Sequence, residues 1–223
     1  MSSTSFSLTV LKYGESVLPE SQVLLGGDPE RPLPISFCIY MIEQGERRIL
    51  VDAGCDTMPG FDMKHFCSPT ELLLRMGLEP SDITDVIITH AHHDHIDGLR
   101  HFKNATVYIH KEALVKGARY IPQGCTVKTF THTLEIIEGV RSLHVGGHAA
   151  GSCAVTICRN GRSLVIVGDE CYTDACFARG IPTGVSRDPA RSKAFLTDYA
   201  AWEKLYCHDP DILPDQNGFL KLL

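Results

Sequence analysis

Thr89-His90-Ala91-His92-His93-Asp94-His95-Ile96-Asp97-Gly98 is the stretch around which the rest of the chain is read. Four imidazoles and a carboxylate fall within the six residues from His90 to His95. Neutral imidazole and ionised carboxylate are the donors that borderline divalent ions accept, at about 2.0–2.2 Å for zinc. The run before it, Asp85-Val86-Ile87-Ile88-Thr89, is apolar and strand-like, which puts His90 where a strand ends and a loop can wrap an ion. His90 and His92, two apart in an extended segment, reach one ion from the same side. Asp94 and His95 lie past a turn and point elsewhere, so two ions are suggested. The plain alternative, a solvated polar loop, gives no reason for so many titratable groups in a row.

The heptapeptide T-H-A-H-H-D-H resembles the metal-binding signature of the metallo-β-lactamase superfamily of hydrolases. That signature says little about substrate, since lactonases, thioesterases, phosphodiesterases, nucleases and some oxygen-reducing enzymes share it. The resemblance implies an α/β (α+β) fold, a four-layer αββα sandwich; the length, with no linker-like stretch or charge block, reads as one domain over residues 1–223. The resemblance also implies two divalent metal ions, zinc foremost, with manganese or iron as alternatives.

Upstream, Ser7 to Leu11 reads as a first strand, and Ile35 to Ile42 with Arg48 to Val51 as a hairpin joined through E-Q-G-E. That hairpin delivers Asp52, which needs a partner if it is buried. Its setting, V-D-A-G, is similar to the superfamily's V-D-T-G, which implies that Asp52 supports the metal site from behind; an exposed turn aspartate is the alternative. Cys55 to Cys67, with Pro59, Phe61, Met63 and Phe66, either borders a pocket or packs on the body of the protein. Ser68-Pro69-Thr70-Glu71 combines an N-cap serine, a first-turn proline and a capping glutamate, and opens a helix that stops at Gly77.

Downstream, a brief helix over Gly98 to Phe102 precedes a strand at Thr106 to His110 and a helix at Lys111 to Gly117. Val127 to Phe130 and Leu134 to Ile137 are strand-like, and His144 reads as a core or edge histidine. His148 follows in a glycine-rich loop, G-G-H-A-A-G-S, which resembles the superfamily's P-G-H-T-x-G-S and so implies a third histidine for the first ion; Gly146 stands where the proline usually does. Asn160-Gly161 marks a hairpin between Cys153 to Arg159 and Arg162 to Val167. The returning run ends at Asp169, which the resemblance makes the bridge between two ions. Asp188 to Tyr199 is expected to be helical, with Ala194, Phe195 and Tyr199 turned inward, and His208 in K-L-Y-C-H-D-P completes the implied ligand set of His90, His92, Asp94, His95, His148, Asp169 and His208.

Composition narrows the partners. The formal net charge is −6 over 223 residues with basic residues scattered, which disfavours nucleic acid and anionic membranes. The N-terminus lacks a basic segment leading into an apolar core, and no run approaches the ~20 apolar residues of a spanning helix. Nine cysteines, an odd number without a C-x-x-C pair, point to free thiols and a cytoplasmic location. Cys171 and Cys207, beside candidate ligands, are possible soft ligands instead.

Within the superfamily the chain is most similar to the N-acyl-homoserine lactonases, through its short length and the D-x-x-Y of Asp169 to Tyr172. That resemblance implies a Tyr172 phenol directed at the substrate carbonyl or lactone oxygen, and Asp94, or water at the ions, as general acid. It implies opening of the lactone ring of N-acyl-homoserine lactones, or of a related small-molecule lactone or ester, by metal-activated water. Thioester or phosphodiester hydrolysis, oxygen or nitric oxide reduction, and metal binding without catalysis are the alternatives. Three departures from the lactonases stand in the sequence: His93 where a large apolar residue is usual, Asp97 where they have glycine, and a short segment between Asp52 and Thr89. The oligomeric state is not legible.

Overall fold

The computed structural model describes residues 6–223 apart from 59 and 61. The first five residues, and Pro59 and Phe61 of the Cys55 to Cys67 loop, therefore lie outside the described residues. Strands β1 (Phe6–Pro19), β2 (Pro32–Gln44), β3 (Arg47–Val51), β4 (Asp85–Ile88), β5 (Thr106–His110) and β6 (Val127–Phe130) join the C-terminal β12 (Phe219–Lys221) in one sheet, ordered β12-β1-β2-β3-β4-β5-β6. The second sheet, ordered β11-β10-β9-β8-β7, contains β7 (Thr133–Ile137), β8 (Val140–His144), β9 (Cys153–Arg159), β10 (Arg162–Ile166) and β11 (Glu203–Leu205).

Period-two alternation decides which side chains lie between the sheets. Val10, Cys38, Tyr40, Ile42, Ile49, Val51 and Ile87 point inward and meet Val155, Ile157, Leu164 and Ile166 of the other sheet. The intervening residues, among them Ile39, Met41, Leu50, Val86, Ile88, Val107 and Ile109, face the opposite way into a second core. There they pack with Leu72 and Leu73 of helix α2 and with Ile96, Leu99 and Phe102 after the histidine motif. Two sheets face to face, each covered by helices, give the expected four-layer αββα sandwich.

The six helices are short: α1 (Glu20–Val23), α2 (Pro69–Arg75), α3 (His93–Ile96), α4 (Lys111–Gly117), α5 (Asp174–Arg179) and α6 (Pro189–Asp198). Ser68 caps α2 by accepting from Glu71 N at 3.3 Å, and Asp188 caps α6 by accepting from Arg191 N at 3.2 Å. Several sequence expectations need correction. The first strand runs through Pro19 rather than ending at Leu11, because β1 pairs with β2 along its length past a bulge between Lys12 and Gly14. The Gly98 to Phe102 helix is a 3-10 turn over Asp97–His101. Ala194 is exposed, and Ser192, Phe195 and Leu196 form the buried side of α6. Helix α5 and strand β12 had no sequence signal.

No helix among the described residues is long and apolar enough to cross a membrane. All nine cysteines are free thiols, seven of them buried.

Candidate metal centre

Four loops at one end of the sheets converge. The motif follows β4, the His148 loop links β8 to β9, Asp169 follows β10 on a 3-10 turn (Gly168–Glu170), and His208 follows β11. Backbone bonds fix the loops to one another: Cys153 N donates to Thr89 O at 2.9 Å, Ala53 N to His95 O at 2.8 Å, and Ser36 N to His208 O at 3.1 Å.

Two half-sites result. In the first, His90 Nε2 and His148 Nε2 lie 3.0 and 2.9 Å from His92 Nδ1, and each lies 3.5 Å from Asp169 Oδ2. In the second, His95 Nε2 is 3.1 Å and His208 Nε2 3.2 Å from Asp169 Oδ1, while Asp94 Oδ2 stands 3.4 and 3.7 Å from the same two nitrogens. Asp169 thus offers one oxygen to each half. Donors about 2.0–2.1 Å from a tetrahedral zinc ion are separated by about 3.3 Å, so both clusters have the spacing of ligands around an ion. All seven residues implied by the resemblance meet here.

The metal-free chemistry also fits a cation. His95 Nε2, His208 Nε2 and Asp169 Oδ1 are buried without a hydrogen-bond partner, and such groups are costly unless something satisfies them. Burial holds His90 and His92 below the ordinary imidazole range and takes His148 down to about 4, so the first half presents neutral rings. In the second half burial opposes charge on His95 and His208, but the carboxylates prevail, Asp169 foremost, and both imidazoles are raised. Burial pushes Asp169 upward, yet His95 and His208 outweigh it and hold its carboxyl well below the usual range.

The ring nitrogens that face away from the cluster are oriented in most cases. Asp52, fully buried, accepts from Thr89 N at 2.7 Å and from Thr89 Oγ1 at 2.8 Å, and its Oδ2 lies 2.7 Å from His95 Nδ1. It is no exposed turn residue. Its φ of +64° is unusual for a residue with a side chain, and the three contacts hold it there. His208 Nδ1 donates to Ser36 O at 2.9 Å, and Thr89 Oγ1 sits 3.1 Å from His90 Nδ1. Partners of this kind fix the tautomer and aim the ligating nitrogen.

His148 is different, because its Nδ1 is buried without a partner. Its backbone is held instead, by Glu170, which sequence reasoning missed. Glu170 is wholly buried and accepts from Gly147 N at 3.2 Å and His148 N at 3.0 Å. The hydroxyls of Ser152 and Ser192 donate to it at 2.5 and 2.6 Å. A Cβ on Gly147 would lie 2.1 Å from Ser192 Oγ and 2.3 Å from Glu170 Oε2, so that position requires glycine. Gly146 has φ +75°, which a proline cannot adopt, and this accounts for the missing proline of the loop. The only sequence signal for Glu170 was a carboxylate directly after a buried apolar strand.

Tyr172 lies at the rim of the second half-site, its ring 4.6 Å from that of His208. Burial, then the Asp169 and Asp94 carboxylates, raise its phenol well above the ordinary range, so it remains a hydrogen-bond donor. A cavity of about 300 Å³ opens here, walled by Leu18, Ile35, Phe37 and Met58. Met58 brings the Cys55 to Cys67 loop to the site, whereas His65 and Phe66 line a separate cavity. His93 stays out of the ligand cluster, with Nε2 2.7 Å from Thr57 O, and Asp97 accepts from Asp56 N at 3.1 Å; these two departures from the lactonase pattern tie the motif to that loop. Cys171 donates to Thr173 O at 3.0 Å, away from the cluster. Cys207 groups with Asp52 and His95 behind the ligands, where burial raises its thiol well above the ordinary range and keeps it protonated. His144 stacks on His110, ring centroids 3.9 Å apart.

Comparison with known proteins agrees with this geometry. Among curated proteins, the N-acyl homoserine lactonase AiiB of Agrobacterium fabrum is 23% identical over 249 residues, covering 90% of this chain and 87% of its own. The N-acyl homoserine lactonase of Bacillus thuringiensis is 25% identical over 200 residues, covering 78% and 80%. A solved quorum-quenching N-acyl homoserine lactone lactonase superposes with a TM-score of 0.81 at 21% identity, over 99% of this chain and 100% of its own. The model of the metallo-beta-lactamase superfamily matches residues 39–197, which hold six of the seven converging side chains and the Asp52 behind them. On that match and the two-sheet sandwich that carries it, the chain belongs to the metallo-β-lactamase superfamily.

Proposed function

We propose that this chain is a dinuclear metal-dependent hydrolase that opens the lactone ring of N-acyl-homoserine lactones or closely related lactones and esters. The observation that carries the reading is a pair of buried donor clusters sharing Asp169, beside an apolar cavity into which Tyr172 faces. His90, His92 and His148 would hold one ion, and Asp94, His95 and His208 the other, with Asp169 between them. Two divalent ions held there, zinc by donor type with manganese and iron as alternatives, supply Lewis acidity toward an ester carbonyl and toward water.

The chain's own groups do the rest. Leu18, Ile35, Phe37 and Met58 exclude water around the hydrocarbon part of the substrate. Tyr172, kept protonated, donates to the carbonyl oxygen as negative charge gathers on it. The hydroxyl of water joins the acyl carbon, the ring C–O bond breaks, and Asp94 carries the proton of the water to the departing oxygen. No serine or cysteine nucleophile is needed. Residues 1–223 act as one domain in this reading, since both sheets supply ligands, and the free thiols suit a reducing cytoplasm.

The test is acid release from N-hexanoyl-homoserine lactone by zinc-loaded protein, with chelator-stripped protein and Asp169→Ala as controls. Turnover that tracks metal content, at about two ions per chain, supports the proposal. Two bound ions without hydrolysis of any lactone would overturn the substrate assignment, and one ion or none would overturn the dinuclear site.

A further inference from the structure

Two cavities reach the ligand cluster, and His92 lines both. The one beside Tyr172 has Leu18, Ile35, Phe37 and Met58 in its wall. The other, about 220 Å³, lies on the side of His90, His92 and His148, and is lined by Lys116 of α4 and by Arg187 from the segment before α6. Backbone contacts fix both carriers. Arg187 N donates to His148 O at 3.3 Å and Asp188 N to Gly147 O at 2.7 Å, so this segment runs against the His148 loop. Helix α4 lies against the same loop, with Gly151 so near Ala113 that a Cβ would come within 2.3 Å of Ala113 N.

Among the described residues neither cation has an ion-pair partner. Asp188 is taken by Arg191 at 3.6 Å. Glu112, a carboxylate lining the same cavity, sits one helical turn before Lys116 without pairing to it. In a chain of net charge −6, a cavity at the site lined by two exposed cations, neither ion-paired among the described residues, against one carboxylate is a local exception. An anion bound in the cavity would pair with them, and a guanidinium matches a carboxylate with two parallel N–H donors.

We propose that this cavity receives a carboxylate carried by the substrate, so that the preferred lactone or ester bears an acidic group a few bonds from the scissile carbonyl. The proposal rests on the hydrolase reading above and names the substrate class for it. A neutral acyl chain leaves Lys116 and Arg187 without a partner in the cavity. An acyl chain ending in a carboxylate pairs them, while the rest of the substrate occupies the apolar side.

The experiment compares N-succinyl-homoserine lactone with N-pentanoyl-homoserine lactone, similar in length but differing in the terminal carboxylate. Zinc-loaded wild type, Lys116→Met, Arg187→Met and the double variant are assayed on both. Wild type should favour the acidic lactone by about tenfold or more in kcat/KM, mainly through KM, and added salt should shrink the ratio. Each single variant should lower that ratio, and the double variant should bring it near one. Equal rates on both lactones, or a preference that survives in the double variant, would overturn the inference while leaving the hydrolase reading intact. Calorimetry with the ring-opened acids reads the cavity without turnover. If neither lactone is hydrolysed the lactone assignment fails, yet tighter binding of N-succinyl-homoserine than of N-pentanoyl-homoserine, lost in the double variant, supports the cavity. Equal binding overturns it.

Discussion

Replacing Glu170 tests how the His148 loop is built. Its carboxylate, fully buried and without an ion-pair partner among the described residues, serves the backbone N–H groups of Gly147 and His148 and the hydroxyls of Ser152 and Ser192. Glu170→Ala strands two buried N–H groups, and each loss costs about 1–3 kcal/mol. The hydroxyls can partly reorient, and removing a buried charge gives something back, so the net expectation is a loss of about 3–5 kcal/mol. Glu170→Gln keeps one acceptor oxygen, and the hydroxyls can turn to accept from the new amide, so about 1–2 kcal/mol is expected. Because His148 Nδ1 has no partner, its position depends on this backbone anchor, and zinc affinity should fall about 10–100-fold for the alanine variant. Denaturant unfolding of metal-free protein gives the first quantity, and competition with a chromophoric chelator gives the second. Unchanged zinc affinity in Glu170→Ala would refute the positioning argument, even if stability falls; if stability also stays within about 0.5 kcal/mol of wild type, the hydrogen-bond reasoning fails too.

Tyr172→Phe removes a donor without emptying space, so kcat/KM on the best lactone should drop roughly ten- to a hundredfold with metal content unchanged; wild-type turnover would make the phenol a packing group. Zinc affinity should rise with pH, by at least about tenfold per unit through neutrality. The carboxylates around His95 and His208, Asp169 foremost, raise both imidazoles, His95 well above its ordinary range, so without the ion His95 keeps a proton that the metal must displace; an affinity flat between pH 6 and 8 would contradict this. Thiol titration of the native protein should find Cys158 reacting first, because it is the exposed cysteine, and denaturation without reductant should release all nine; a majority locked in disulfides would overturn the cytoplasmic reading.

The donor types and their order along the chain were legible, because metal chemistry restricts them to histidine and aspartate and the strand-to-loop pattern around each is local. His90, His92, Asp94, His95, His148, Asp169 and His208 each follow an apolar run or a glycine turn that a short window reveals. The α2 cap at Ser68 and the Asn160-Gly161 hairpin were legible for the same reason: each is decided by hydrogen bonds and dihedral preferences within a few residues. Apolar runs gave the places of the strands, but not the length of β1, which is set by its pairing with β2.

What only the tertiary structure decided is what lies between loops that are distant in sequence. The match of Glu170 to Ser152, Ser192 and the Gly147 backbone, the use of Nδ1 by His92 where His90 and His148 present Nε2, and the lining of one cavity by both Lys116 and Arg187 have no local signature. They depend on how two sheets stack and on which loop ends that stacking brings within a hydrogen bond of each other. A residue pattern fixes which face is apolar, whereas side-chain packing between the layers fixes which polar groups are left facing one another.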